Sequence, residues 1–118
     1  MDIKKLQRTL ALFAQERDWD QFHTPKNLAA ALSVEASEIL ELFQWLTPEQ
    51  SLALKDKPQE KQHIADEIAD TFIYLLRLAD KLEIEIEAVI ESKMKRNAEK
   101  YPVELAKGNA TKYNKRDI

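Results

Sequence analysis

Apolar positions recur along most of this chain at intervals of three and four, the period of a helix with one buried stripe. The first stripe, Ile3, Leu6, Leu10, Phe13 and Ala14, predicts a helix over Asp2 to Arg17. A connecting stretch, Asp18 to His23, carries Trp19 and Phe22. Thr24 followed by Pro25 reads as an N-cap with proline at the first helical position. The helix it opens has the arc Leu28, Leu32, Ala36, Ile39, Leu42, Phe43 and Leu46, and is expected to reach Trp45 or Leu46. Thr47-Pro48-Glu49-Gln50 repeats the start signal as a capping box and opens a short helix to about Lys55. Asp56, Lys57 and Pro58 form a linker. The third long helix spans about Gln59 to Leu82, on the arc Ile64, Ile68, Thr71, Phe72, Leu75, Leu78 and Ala79. Alternation across Glu83 to Glu87 resembles an edge strand, but Ile86, Val89, Ile90 and Met94 favour a fourth long helix, Glu85 to Tyr101, halted before Pro102.

Composition narrows this picture. A single glycine, Gly108, excludes glycine-rich phosphate loops, nucleophile elbows and Rossmann turns. The expected fold is all-α: four long helices and a short one in one domain over residues 1–104, with a basic, loosely ordered tail over 105–118 that includes Lys107, Lys112, Lys115 and Arg116. The absence of cysteine removes disulfides, zinc-thiolate sites and thiol nucleophiles. A net charge of -3 supplies no general attraction to nucleic acid. No apolar run approaches the roughly 18 residues of a membrane span, and Leu10 to Ala14 is too short for a signal-peptide core. A soluble, cytoplasmic protein is expected.

Candidate chemistry lies on the apolar arcs. Glu35 falls inside the arc of the second helix, and Glu38, one turn on, at its edge beside Trp45; Glu41 lies further round. Glu67 sits at the boundary of the third long helix's arc, and Asp70, three residues on, points the same way. Ionised carboxylates are costly to bury and repel one another. Arg77 and Lys93 are the basic residues placed to neutralise them; otherwise a hard cation is required. A carboxylate set without His or Cys selects Mg²⁺, with Mn²⁺ the alternative. One such pair is usually a solvated helix face, whereas two on core-facing arcs favour a site. Glu60-x-x-His63 has the form used in di-iron bundles, but those bundles need it twice, and it reads as a surface pair.

Glu35-x-x-Glu38, 28 residues, then Glu67-x-x-Asp70 resembles the motif of the MazG-like all-α nucleotide pyrophosphohydrolases, and most closely their dCTP-pyrophosphatase branch. The likeness extends from about residue 3 to 113. It includes Arg17-Asp18-Trp19-Asp20-Gln21-Phe22-His23, Pro25-x-Asn27-Leu28 and Glu41-Leu42-Phe43-Gln44-Trp45. Further along come Asp66-Glu67-Ile68-Ala69-Asp70-x-x-Ile73-Tyr74-Leu75, Ser92-Lys93-Met94, Asn97 and Lys100-Tyr101-Pro102. Val34 and Ser37 stand where the family often has glycine.

The resemblance implies Mg²⁺-dependent hydrolysis of a nucleoside triphosphate, dCTP or a related dNTP, to monophosphate and pyrophosphate. It implies a helical protomer that dimerises into a four-helix bundle, as a homodimer or homotetramer. Glu35, Glu38, Glu67 and Asp70 would hold the metal, and Glu38 or Glu41 would act as general base. Lys93 and Asn97 would hold the outer phosphates. Trp19, His23, Asn27, Trp45 and Tyr74 are the candidates for the base pocket, with Trp19 and His23 on a segment able to fold over the nucleotide. A non-enzymatic bundle binding a partner in its acidic groove, and a pyrophosphohydrolase of different base preference, stay open on the residues alone.

Overall fold

The computed structural model describes residues 1–112 and 114. Six α-helices run in order: α1 Ile3–Glu16, α2 Pro25–Phe43, α3 Pro48–Ala53, α4 Pro58–Lys81, α5 Ile86–Lys100 and α6 Val103–Ala106. Short 3₁₀ turns occupy Asp20–Phe22 and Leu54–Asp56, and no strand occurs among the described residues. The chain forms two compact units, Met1–Glu83 and Ile84–Ile118. In the first, α4 packs most extensively against α2 and also against α1. The second consists of α5, α6 and their flanking residues.

The caps follow the sequence. The side chain of Asp2 accepts from the Lys5 amide at 3.0 Å, and that of Thr24 from the Asn27 amide at 3.2 Å. Thr47 and Gln50 close a reciprocal box, with the Gln50 amide on Thr47 Oγ1 at 3.1 Å and the Thr47 amide on Gln50 Oε1 at 2.9 Å. Each satisfies donors that a helix N-terminus leaves orphaned. Two C-termini are less ordinary. With no glycine available there, Asp18 and Glu83, just past the ends of α1 and α4, take left-handed φ of 55° each. Aspartate tolerates that region better than glutamate does, so Glu83 carries strain. Glu83→Gly is expected to stabilise the protein by about 0.5–1 kcal/mol, read as a higher midpoint in urea.

The core of the first unit centres on Leu28 and Leu76, both fully buried, with Ala14, Leu54 and Ala79. Gln7 is buried among them and donates from Nε2 to the Leu76 carbonyl at 3.2 Å, tying α1 to α4.

Four expectations shift. The second helix ends at Phe43, short of Trp45, because Pro48 and its extended cap Thr47 (ψ 162°) need the chain to turn first. On α4 the buried positions are Leu76, Arg77 and Ala79, while Ile68 and Leu75 of the expected arc are exposed within the single chain. The stretch Glu83 to Glu87 is a turn followed by helix, not an edge strand. The expected tail begins inside a helical turn, α6, started by Pro102 and closed by the Ala106 amide on its carbonyl at 3.0 Å. Lys115 and Arg116 lie outside the described residues.

Candidate active site

Periodicity carries Glu35 and Glu38 to one face of α2 and Glu67 to the facing side of α4. The packing of these two helices brings the three carboxylates together, one oxygen of each lying within 4.8 Å of the others. Nothing cationic in the first unit neutralises them. His63 approaches Glu67 from one turn before, at 3.8 Å, but its side chain is 62% exposed. Arg77, the other candidate, is occupied elsewhere. Glu35 Oε2 and Glu67 Oε2 are buried without a hydrogen-bond partner. An orphaned carboxylate oxygen in such a place costs free energy that a protein rarely leaves uncompensated. The electrostatic consequence falls on Glu35. Burial first, then the adjoining Glu67 and Glu38, push its carboxyl up to about 7 from 4.5. Both features are what a divalent cation relieves: it accepts the unpartnered oxygens as ligands and reverses the repulsion. The donor set therefore fits a hard metal ion. Glu41, also on α2, is exposed and outside this cluster.

Asp70 is exposed one turn beyond Glu67 and is not among the clustered carboxylates; it lines a cleft of about 240 Å³. The same cleft is lined by Leu10, Phe13 and Ala14 of α1, by Trp19 and His23, and by Ile73, Tyr74 and Arg77 of α4. Cluster and cleft thus adjoin along one helix, with Glu67 and Asp70 on successive turns.

The segment carrying Trp19 and His23 is anchored. Asp20 accepts from Lys81 Nζ at 2.7 Å and from Arg77 at 3.0 Å. Lys81 foremost, then Arg77, holds the Asp20 carboxyl below the usual range. The Trp19 amide donates to the Ala14 carbonyl at 2.8 Å, and its ring meets Phe13 edge-on at 5.9 Å between centroids. Arg17 lies 3.6 Å over the other aromatic's ring centre, that of Phe13. These ties anchor the segment as a wall of the cleft.

Of the base-pocket candidates, Trp19, His23 and Tyr74 come together in the cleft. Asn27 does not line it; its amide donates to the Phe22 carbonyl at 3.0 Å and closes the loop. Trp45 lies beyond the end of α2, 87% exposed, outside the cleft of its own chain. Lys93 and Asn97 stand one turn apart on α5, both exposed, in the second unit. Missed by the sequence reading were the buried Arg77 as a wall of the cleft and Asp20 as its anchor. The basic residue on the α4 arc was the available signal.

A packed helix pair that brings three carboxylates together beside an aromatic cleft defines a class of helical acidic-site proteins. The MazG-like family model matches residues 30–115, and the chain belongs to that family. It is 40% identical over 111 residues to dCTP pyrophosphatase 1 of Rattus norvegicus, covering 94% of this chain and 65% of that protein. Against dCTP pyrophosphatase 1 of Homo sapiens the identity is 39%, with the same coverage. A pyrophosphatase structure from Archaeoglobus fulgidus superposes with a TM-score of 0.76 at 39% identity, covering 86% of this chain and 94% of that one. The chain spans about two thirds, 65%, of the length of the curated relatives it matches. Among the described residues no helix is long and apolar enough to cross a membrane.

Proposed function

We propose that this chain hydrolyses nucleoside triphosphates, with dCTP or a related or modified dNTP preferred, to the monophosphate and pyrophosphate, in a Mg²⁺-dependent reaction that cleans the cytoplasmic nucleotide pool. The observation that carries the reading is the three-carboxylate cluster with two buried unpartnered oxygens, adjoining an aromatic cleft along α4. The relatives named dCTP pyrophosphatase 1 support the substrate class.

Glu35, Glu38 and Glu67 would hold the ion, with Asp70 as a further ligand on the substrate side. The bound ion supplies Lewis acidity and neutralises charge on the phosphate oxygens. Glu38, or Glu41 beyond it, takes the proton of the attacking water. The water oxygen bonds to the α-phosphorus while the bond to the bridging α–β oxygen breaks, and pyrophosphate carries away the electron pair. No covalent intermediate is required. Trp19 and Tyr74 offer aromatic faces to the base, at about 1–3 kcal/mol per stacked ring. Support for Lys93 and Asn97 as phosphate-binding residues comes from the sequence likeness.

We propose further that the working form is a homodimer or homotetramer. Leu40, Trp45, Leu52 and Ile68 are more than half exposed on the single chain, which fits surface covered by a second copy.

The test is pyrophosphate release from a panel of dNTPs and NTPs with and without Mg²⁺. Metal-dependent pyrophosphate release, fastest with dCTP, is the expected outcome. Release of inorganic phosphate, or none from folded protein, would sink the assignment.

A further inference from the structure

Arg77 is the most deeply buried charged residue described, 3% exposed, and it does not serve the acidic cluster. Its guanidinium is spread over three partners. One terminal nitrogen lies 3.0 Å from Asp20, the other 3.6 Å from Asp80, and Nε donates to Nδ1 of His23 at 3.3 Å. Asp20 does not depend on this pairing, because Lys81 holds the same carboxylate oxygen at 2.7 Å. The bond to the imidazole is the part with chemical content. A nitrogen that accepts from a guanidinium has a free lone pair, so Nδ1 carries no proton. A neutral ring then carries its proton on Nε2. No protein group among the described residues is bonded to that nitrogen, and His23 and Arg77 both line the cleft.

We propose that Arg77 is a positioning residue for base selection: by donating to Nδ1 it holds His23 as the Nε2–H tautomer, so that the cleft presents a hydrogen-bond donor and selects a base with an acceptor at that place. The proposal rests on the reading of the cleft as the base pocket. A donor cannot take a hydrogen bond from an exocyclic amine. His23 therefore suits the ring-nitrogen or carbonyl acceptors of a pyrimidine edge, not the N4 amino group of cytosine. Burial and the Arg77 charge also hold the imidazole below the ordinary histidine value, which keeps the ring neutral. A neutral aliphatic side chain at position 77 would leave the ring to exchange between tautomers. A site whose polar group is fixed discriminates against a mismatched edge far better than one that can adapt.

The experiment uses the full-length native chain, Arg77→Met and the double variant Arg77→Met with His23→Gln. Methionine fills the guanidinium's path, and Asp20 keeps Lys81 as partner. The ring ¹⁵N shifts of His23 are read by NMR, separable from His63, the only other histidine. A single Nε2–H tautomer is expected in the native chain, and a mixture in Arg77→Met. This readout needs no substrate and no variant to be informative: a native His23 protonated on Nδ1, or already mixed, overturns the proposal. Steady-state kinetics with dCTP and competing dNTPs, in Mg²⁺, give the second readout. Arg77→Met should raise KM for the preferred base and lower its kcat/KM advantage about tenfold, the scale of one oriented hydrogen bond. Glutamine donates without an external lock, so the double variant should recover most of that discrimination. Unchanged discrimination in Arg77→Met, or a collapse of kcat for every base alike, overturns the proposal. A native chain inactive on all triphosphates would overturn the functional reading instead, while the tautomer would still report on Arg77.

Discussion

Glu35→Gln is expected to raise the melting temperature of the metal-free protein at about pH 8 by roughly 5 °C and to cut pyrophosphate release about 100-fold or more. The opposite signs share one cause. Glu35 is half-buried, its Oε2 has no hydrogen-bond partner, and Glu38 and Glu67 crowd it. Burial and these neighbours place its carboxyl at about 7, so at higher pH the folded state is forced to carry an unfavourable charge. Glutamine keeps the shape and removes the charge, which relieves the apo protein. It also removes a ligand, so the stabilisation that Mg²⁺ confers on the native protein should largely vanish in the variant. Thermal melts of both proteins, with EDTA and with Mg²⁺, measure the two effects in one series. A structural carboxylate in an ion pair would behave in reverse: its removal would lower the melting temperature and leave the Mg²⁺ shift intact. That pattern would exclude Glu35 from the metal site.

Metal removal should also expose a stability profile that slopes the unusual way. Most paired carboxylates have depressed pKa values and contribute stability that is lost on acidification. Glu35 is raised from 4.5 to about 7, so between those values the folded state binds the proton more tightly than the unfolded chain. Its favourable contribution is fully present below the unfolded value and is lost as pH rises through about 7. Apo protein is therefore expected to lose several degrees of melting temperature between about pH 5 and pH 8, with most of the change below about pH 7 and a levelling off above it. Mg²⁺ competes with the proton for the same oxygens and favours the ionised form. Its stabilising effect should accordingly grow across the same interval and flatten the profile. A pH-independent Mg²⁺ shift would mean that the ion binds away from Glu35.

These results depend on a feature that helical periodicity made legible. Any carboxylate at the Glu35 position of α2 lies among Leu28, Ile39 and Leu42 on the wheel, and any at Glu67 lies on the edge of the α4 arc. The caps at Thr24 and Thr47 were legible for the same reason: they are local, formed by hydrogen bonds to residues three positions on. Less legible was which apolar stripe a long helix buries. α4 spans 24 residues and packs against both α1 and α2, and its buried positions, Leu76, Arg77 and Ala79, all lie toward its C-terminal end. A single wheel averages them, which is why Ile68 was expected inside and Leu76 was not.

The sequence by itself determined the five helices that precede Pro102, their starts, and the pairing of acidic residues at a spacing of three, because each depends on neighbours within one or two turns. It also determined the family, through motifs spread over most of the chain. Only the tertiary structure decided which carboxylates lie together, that Asp70 lines the cleft beside the cluster, and that Trp45 lies outside the cleft of its own chain. It alone joined Arg77 to His23 across 54 positions and to Asp20 across 57. Contacts of that separation depend on how two helices cross and on where a loop is pinned, and no local pattern of residues encodes either.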